Sequence, residues 1–433
     1  MKFITLAVLA ITILSGNRAE ARTLNLEQAI SIAMEKNHDI EKAREYAKYV
    51  QGRYLEERSA ALPQLSLNAS GALSQDQSQK AQLGSAPHQY SGLIDVTVSQ
   101  PLYTWGKVNA AIRAAEFGLQ TADQQLRLYR QAAFRDVTAA YYDVLLTREL
   151  HRLAVENQRQ KARHLEEAKR KFAAGVATDY DVLAAEVTAE NARPEAIRSQ
   201  HAIRTAKERL RFLLALKEED IQVAGTLEMP TADRPAPITY EEAFLSAQKH
   251  RPELADLKLR ISVYDELITI ANAENKPRLD LKGGAGWRWS ILDDPGPRRD
   301  ADGPAWNVGV YLTFPFFDGF KSSGKVAQAR SDLRTKQIEQ FKLLDSIALE
   351  VREAGFALQE AAEIYEAVSG TVRQAERLVQ MAEKGYEYGV KIRLEVEDAQ
   401  LNLLQAKSNL AKAQRDYRVA RVNYAWTTGI AGE

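Results

Sequence analysis

The sequence contains no cysteine. That excludes disulfides, thiolate metal sites, cysteine nucleophiles and the lipidated cysteine of a bacterial lipoprotein. Histidine is scarce. His38, His88, His151, His164, His201 and His250 are scattered without zinc-type spacing, so neither a metal nor a cofactor is expected. Net charge is absent too: Lys plus Arg and Asp plus Glu both number 58 in 433 residues. A nucleic-acid binder relying on bulk charge would be basic, and no nucleic-acid partner is expected. No HExxH, GxSxG or phosphate-loop motif occurs. The acid pairs Asp179/Asp181 and Glu395/Asp398 fall at helix starts without any pocket signal, so no catalytic residue is expected. After the N-terminal segment no run is apolar enough to span a membrane as a helix. Transmembrane β-strands stay open, because hydropathy detects them poorly.

What is present begins with a targeting segment. Lys2 precedes an apolar run over 3–14, and Ala19-Glu20-Ala21 fits a small-x-small cleavage site. Residues 1–21 therefore read as a secretory signal peptide, with a mature start near Arg22. The run falls short of the ~20 residues a helical anchor needs.

The remainder is one unit written twice. Leu26-Glu27-Gln28-Ala29 recurs as Tyr240-Glu241-Glu242-Ala243, and Pro63-Gln64-Leu65-Ser66-Leu67 as Pro277-Arg278-Leu279-Asp280-Leu281. Pro101-Leu102-Tyr103 recurs as Pro315-Phe316-Phe317, and Gly175-Val176 as Gly389-Val390, always 214 residues on. A constant offset marks a duplication. The first repeat takes 22–217 and the second 238–433, with the Pro-rich 218–237 as linker. Each repeat predicts a short helix (26–35; 240–248) and a second helix (39–61; 253–275) that halts before Pro63 or Pro277. Two strands follow, within 64–101 and 278–315, then a very long helix (107–174; 321–388), a glycine break, and a return helix (179–216; 393–427).

The strands alternate with period two. Leu65, Leu67, Ala69, Gly71 and Leu73 share one face; Ile94, Val96 and Val98 another; Leu279, Leu281, Ala285, Trp287 and Trp289 a third; Trp306, Val308, Val310, Leu312 and Phe314 a fourth. Each run approaches the ~9–11 residues of a tilted transmembrane strand. Tyr103, Trp289, Trp306, Phe314, Phe316 and Phe317 sit near strand ends, as an interfacial aromatic belt requires. The segments 75–91 and 292–304 are polar and turn-rich, which suits exposed loops. Four strands cannot close a barrel, and an open edge in lipid leaves backbone groups unpaired at several kcal/mol each. If the strands span, copies must join; physics alone does not choose between three and four.

The long helices carry coiled-coil seams. Leu344, Ile347, Val351, Ala354, Leu358, Ala361, Tyr365, Val368, Val372, Ala375, Val379, Ala382 and Tyr386 are spaced 3,4 without interruption. The return helix repeats this from Val396 to Tyr424. In the first repeat Thr147, His151, Gln158 and Lys161 interrupt the seam. At ~1.5 Å per residue each long helix reaches on the order of 100 Å. The second helix and the return helix together nearly match that length, so they are expected to stack end to end beside it.

This order resembles the TolC-like outer membrane efflux protein family (the outer membrane factors). The resemblance covers nearly all of the mature chain. It rests on Leu24-Asn25-Leu26-Glu27-Gln28-Ala29, Leu62-Pro63-Gln64-Leu65-Ser66-Leu67, Gln100-Pro101-Leu102-Tyr103, Tyr386-Glu387-Tyr388-Gly389 and Glu395-Val396-Glu397-Asp398-Ala399-Gln400. It implies a mainly α protein with a membrane β-barrel: a homotrimer with a twelve-stranded barrel in the outer membrane, continued by a periplasmic α-helical barrel. It implies docking to an inner-membrane pump or ABC transporter through a periplasmic adaptor protein, and a passive exit duct for efflux or type I secretion.

The resemblance also implies a periplasmic gate. Glu395 and Asp398 fall where the family's ring carboxylates lie, Tyr386 on its gating tyrosine, Lys391 on its gating arginine, and Asp181 on their acceptor in the other repeat. Two positions depart from the pattern. Lys391 replaces the arginine, which turns a bidentate pair into a point-charge contact, and Tyr180 replaces a small hydroxyl residue. Read without the resemblance, Glu395 and Asp398 are solvated charges in a first helical turn. A cell-envelope coiled-coil or adhesin-like protein would explain the seams and the signal peptide, but not strand pairs flanked by prolines. A secreted enzyme would explain neither.

Overall fold

A computed structural model describes residues 22–80, 86, 88–217, 220–228, 239–293 and 301–431. The segment expected to be a signal peptide lies outside the described residues, as do much of the expected linker and the centres of both expected polar loops. Two compact units are present, and each draws on both repeats. One holds residues up to 41, 129–250 and from 347 onward; the other holds 42–128 and 251–346.

From the first short helix onward the duplication is kept element by element among the described residues. In the first repeat β1 (Arg22–Leu24), α1 (Leu26–Lys36) and α2 (His38–Ser59) precede β2 (Gln64–Gln75) and β3 (His88–Tyr103). Then come α3 (Lys107–Ala173) and α4 (Asp179–Leu213). A short strand, β4 (Ile221–Val223), lies where a linker is expected. The second repeat supplies α5 (Tyr240–His250), α6 (Pro252–Asn272), β5 (Arg278–Asp293), β6 (Ala301–Thr313), α7 (Lys321–Glu387) and α8 (Arg393–Thr427). Both long helices have 67 residues and both return helices 35. α4 runs straight through Pro194. Pro194 removes one backbone bond there, and its neighbours Ala192 and Ala196 are buried.

The four long strands form one antiparallel sheet in the order β2-β3-β5-β6. Register decides which faces coincide. Leu67 lies beside Val96, Val96 beside Ala285, and Ala285 beside Trp306. The next row on that face is Leu65, Val98, Gly283 and Val308. All four apolar stripes thus fall on one side, and they are exposed: Leu67 is 73% accessible, Val308 67% and Trp306 78%. The opposite face carries Asn68, whose amide donates to Asp95 at 2.9 Å, and Asp280, which accepts from Arg278 Nε at 2.8 Å.

The strands differ from expectation in two ways. They run 12, 16, 16 and 13 residues, because polar pairs such as Gln89 with Ser290 continue the ladder beyond the apolar alternation. Parts of the expected loops 75–91 and 292–304 are therefore strand. Two prolines also lie inside strands: Pro101, expected after its strand, and Pro304, expected in the loop before the last strand. Pro101 stands opposite Asp280 at an irregularity in the β3–β5 register, and Pro304 stands opposite Trp287 on β6, which is an edge within the chain. Bulges and edges are where a missing N–H is tolerated.

The helical unit has its core where β1 pairs in parallel with β4. Leu24, Ile32, Val137, Val144, Leu210, Leu214 and Ile221 bury there. The Tyr141 hydroxyl lies 2.6 Å from Ala224 O and 3.3 Å from Leu24 O, bridging the two strand ends. Asn37 joins helices end to end. Its Oδ1 accepts from the backbone of Asp39 and Ile40 at the start of α2, while its Nδ2 donates to Leu213 O, the end of α4, at 2.9 Å. One side chain thereby satisfies donors and an acceptor that helix termini leave open.

The coiled-coil seams are buried in part within one chain: Leu344, Ala354, Leu358, Tyr365, Val368, Val372 and Tyr386 stay half-buried. Ile347, Val351, Ala361, Ala375, Val379 and Ala382 of α7, with Val396, Ala399, Ala406, Ala413 and Tyr417 of α8, are all under 10% exposed. The interruption in α3 has a physical reason. His151 Nδ1 meets the buried Ser199 Oγ of α4 at 3.0 Å, and the apolar contact shifts to Leu153 and Ala154.

Candidate periplasmic gate

Two turns close the helical hairpins. Gly175 and Gly389, at φ +76° and +72°, end α3 and α7 in the left-handed region that glycine enters freely. The return helices then start on matching acids. Thr178 caps α4: its N–H and Oγ1 meet Asp181 Oδ2 at 2.8 and 2.7 Å. Glu395 plays the corresponding part in α8, accepting from Ile392 N–H at 3.0 Å. Carboxylates there also suit the positive end of the helix.

Lys391 pairs with Glu395 one turn on. Its position depends on Gly385. The backbone N–H groups of Val390 and Lys391 both donate to Gly385 O, at 2.8 and 3.0 Å. A methyl group at Gly385 would lie 2.5 Å from Lys391 Cγ. Tyr386 packs against the cluster of Val379, Ala382, Val396 and Ala399. Its hydroxyl accepts from Lys171 Nζ of α3 at 3.1 Å, and that ammonium lies 5.0 Å from the ring centre. Lys171 is held in turn by Glu167 at 2.7 Å. Asp398 is exposed.

Of the five expected residues only Lys391 and Glu395 are brought together within the chain. Tyr386 is joined across the hairpins to Lys171, and Asp181 stays on its own cap. Sequence reasoning missed Lys171, Glu167, Gly385 and the residues behind them. A usable signal existed: Lys171 and Tyr386 each lie in the last helical turn before a tip glycine.

Behind Lys171 lies His164, with Nδ1 4.0 Å from Glu167 and a sealed Nε2. Burial, and then Arg393 and Lys161, lower its pKa, outweighing Gln400 and Glu167. Gln400 is 7% exposed and donates to Glu383 at 3.2 Å. Hydrogen bonds hold three carboxyls below their ordinary values: Glu167 through Lys171, Asp181 through Thr178, and Glu395 through Lys391. Among the described residues no group of three or more acids and histidines could hold a metal ion, and no helix is long and apolar enough to cross a membrane.

The chain matches the model of the outer membrane efflux protein family over residues 29–216 and 245–428, one stretch in each repeat. It is 23% identical over 384 residues to the outer membrane protein TolC of Vibrio cholerae, covering 87% of this chain and 84% of that one. It is 24% identical over 339 residues to the alkaline protease secretion protein AprF of Pseudomonas aeruginosa, covering 78% and 69%. Its fold superposes on the CmeC outer membrane channel of Campylobacter jejuni with a TM-score of 0.82 at 17% identity, over 94% and 86% of the two chains. The exposed apolar sheet, the doubled helical hairpins and this match across both repeats establish that the chain belongs to the outer membrane efflux protein family, as an outer-membrane channel whose helical part lies in the periplasm.

Proposed function

We propose that three copies of this chain assemble into a passive exit duct, a twelve-stranded barrel continued by a helical tunnel, that receives substrates from an inner-membrane pump or ABC transporter through a periplasmic adaptor. The carrying observation is the open sheet. Among the described residues β2 and β6 have no partner on their outer edges in the order β2-β3-β5-β6, and the sheet's outward face is apolar. Unpaired backbone in hydrocarbon costs several kcal/mol per group. Alternation along an antiparallel sheet of four makes β6 of one copy antiparallel to β2 of the next, so repetition can close the ring. The trimer itself is the family's number. Names among the relatives, an alkaline protease secretion protein and probable efflux pump outer membrane proteins, support both efflux and protein secretion as uses. The duct needs no catalytic residue.

Mass measured by light scattering in detergent tests the assembly: three chains are expected, and a monomer overturns it. Planar bilayers test conduction, since a coiled-coil stalk or adhesin passes no current.

At the tip, Asp181, Tyr386, Lys391, Glu395 and Asp398 form the gate and its selectivity ring. The contact of Tyr386 with Lys171 across the hairpins supports a closed resting state. Rings of acids around a narrow pore favour cations. Lys391→Ala is expected to raise single-channel conductance, and an unchanged value would count against the gate.

A further inference from the structure

The polar face of the sheet carries its charge unevenly. Register puts Asp95, Arg278, Asp280, Lys282 and Arg288 on the side opposite the apolar stripes. No other charged side chain of the four strands lies on that face. Asp293 and Asp302 fall in the outward rows, beside His88 and Trp289. The polar faces of β2 and β6 carry no charge at all. A second copy laid edge to edge through those strands therefore brings no acid there. Three cations stand against two acids in each chain.

The acids are tied into the wall, and two of the cations are not. Asp280 is buried and takes the Arg278 guanidinium at 2.8 Å. Asp95 is half-buried and accepts from Asn68 Nδ2 at 2.9 Å. Lys282 and Arg288 are exposed, and among the described residues neither meets an acid. The Lys282 ammonium lies 5.6 Å from the centre of the Tyr311 ring, a contact that leaves its charge uncompensated. Glycine clears the wall around both: Gly309 stands opposite Lys282 and Gly303 opposite Arg288. On the β3 side their neighbours are Ser99 and Leu93.

We propose that Lys282 and Arg288 make the inside of the barrel an anion-attracting exit, so that the last stretch of the duct favours negatively charged solutes. Six residues apart on β5, they spread their charge over about 20 Å of wall. Fixed charge of one sign along a channel wall concentrates ions of the other sign. The preference is opposite to that of the acids at the helical tip, and it strengthens as salt falls, because screening confines the field of the wall. The inference rests on the duct reading, with the polar face of the sheet turned inward, and adds to it a specificity seated in the barrel.

The test uses the full-length protein in planar bilayers under a potassium chloride gradient, with ~10 mM on the barrel side, where screening reaches ~30 Å. The reversal potential gives the ratio of potassium to chloride permeability. Lys282→Gln/Arg288→Gln leaves one cation against two acids and should raise that ratio about threefold. Gly303→Asp, at a position where a Cβ meets no atom within 4 Å, sets an acid opposite Arg288 and should move the ratio the same way. Arg288→Lys keeps the charge and should keep the wild-type value. With the gradient reversed, the barrel stands in concentrated salt, and the difference between wild type and double variant should shrink towards zero. Equal ratios in wild type and double variant overturn the proposal. So does a difference that ignores the direction of the gradient, or an Arg288→Lys channel that behaves like the glutamine variant. A protein that passes no current overturns the duct reading and this inference with it, whereas a conducting channel with equal ratios removes the anion preference alone.

Discussion

At the scale of single residues the helical core hangs on a few polar contacts. Tyr141 is 4% exposed, and its hydroxyl serves two strand-end carbonyls. Tyr141→Phe takes the donor from Ala224 O, while Leu24 O keeps its bond from Ala224 N–H at 2.9 Å, and is expected to cost about 1–3 kcal/mol, read as a lower midpoint in thermal unfolding. Gly385 is a residue whose importance lies in a missing atom. Gly385→Ala pushes on Lys391 Cγ and should raise conductance as Lys391→Ala does; a fall would separate the two.

The titrating groups near the tip give a signed pH dependence. His164 binds fewer protons folded than unfolded, because burial, then Arg393 and Lys161, lower its pKa. Its contribution to stability is intact above about pH 6.5 and is lost as pH falls through the depressed value. Glu167, Asp181 and Glu395 are also lowered, so their contribution is lost further down, below the usual carboxylate range. Protection of the amides near the tip against hydrogen exchange, taken relative to the intrinsic base-catalysed rate at each pH, should therefore fall in two steps on acidification. His164→Gln should abolish the first step and keep the second.

At the scale of elements, junctions and close approaches carry the load. Asn37 is 7% exposed and ties the end of α4 to the start of α2. Asn37→Ala removes the cap and the bond to Leu213 O together, at an expected cost of about 2 kcal/mol, measured by thermal unfolding in detergent. In the sheet, a methyl group on Gly286 would lie 2.2 Å from Ile94 O. Gly286→Ala must then part β3 from β5, and folded protein in the membrane fraction should fall sharply. Strand length was hard to read because pairing continues through polar residues, where alternation gives no signal. Helix bounds were easy to read: Gly175 and Gly389 break the two long helices, the second after sustained 3,4 spacing, and the observed helices end within two residues of them.

At the scale of the whole molecule, an apolar sheet face and two open edges leave the isolated chain incomplete. Removing detergent should precipitate it, and a clear monomeric solution would contradict the lipid-facing assignment. Each compact unit takes segments from both repeats, so truncating either repeat should destroy both units rather than leave one folded. The β1–β4 pair went unseen because three-residue strands have no period to detect, and Ile221 and Val223 bury only against partners far away in sequence.

Local chemistry was enough to fix the duplication, the helices, the apolar stripe of each strand and the acids that open the return helices. Periodicity, prolines and glycines act over a few residues and so are written in order along the chain. The tertiary structure alone decided that four stripes share one face, that Tyr386 meets Lys171 and that Gly385 seats Lys391. Those facts depend on strand register and on helices crossing between repeats, where partners stand up to hundreds of residues apart and no local pattern records their meeting.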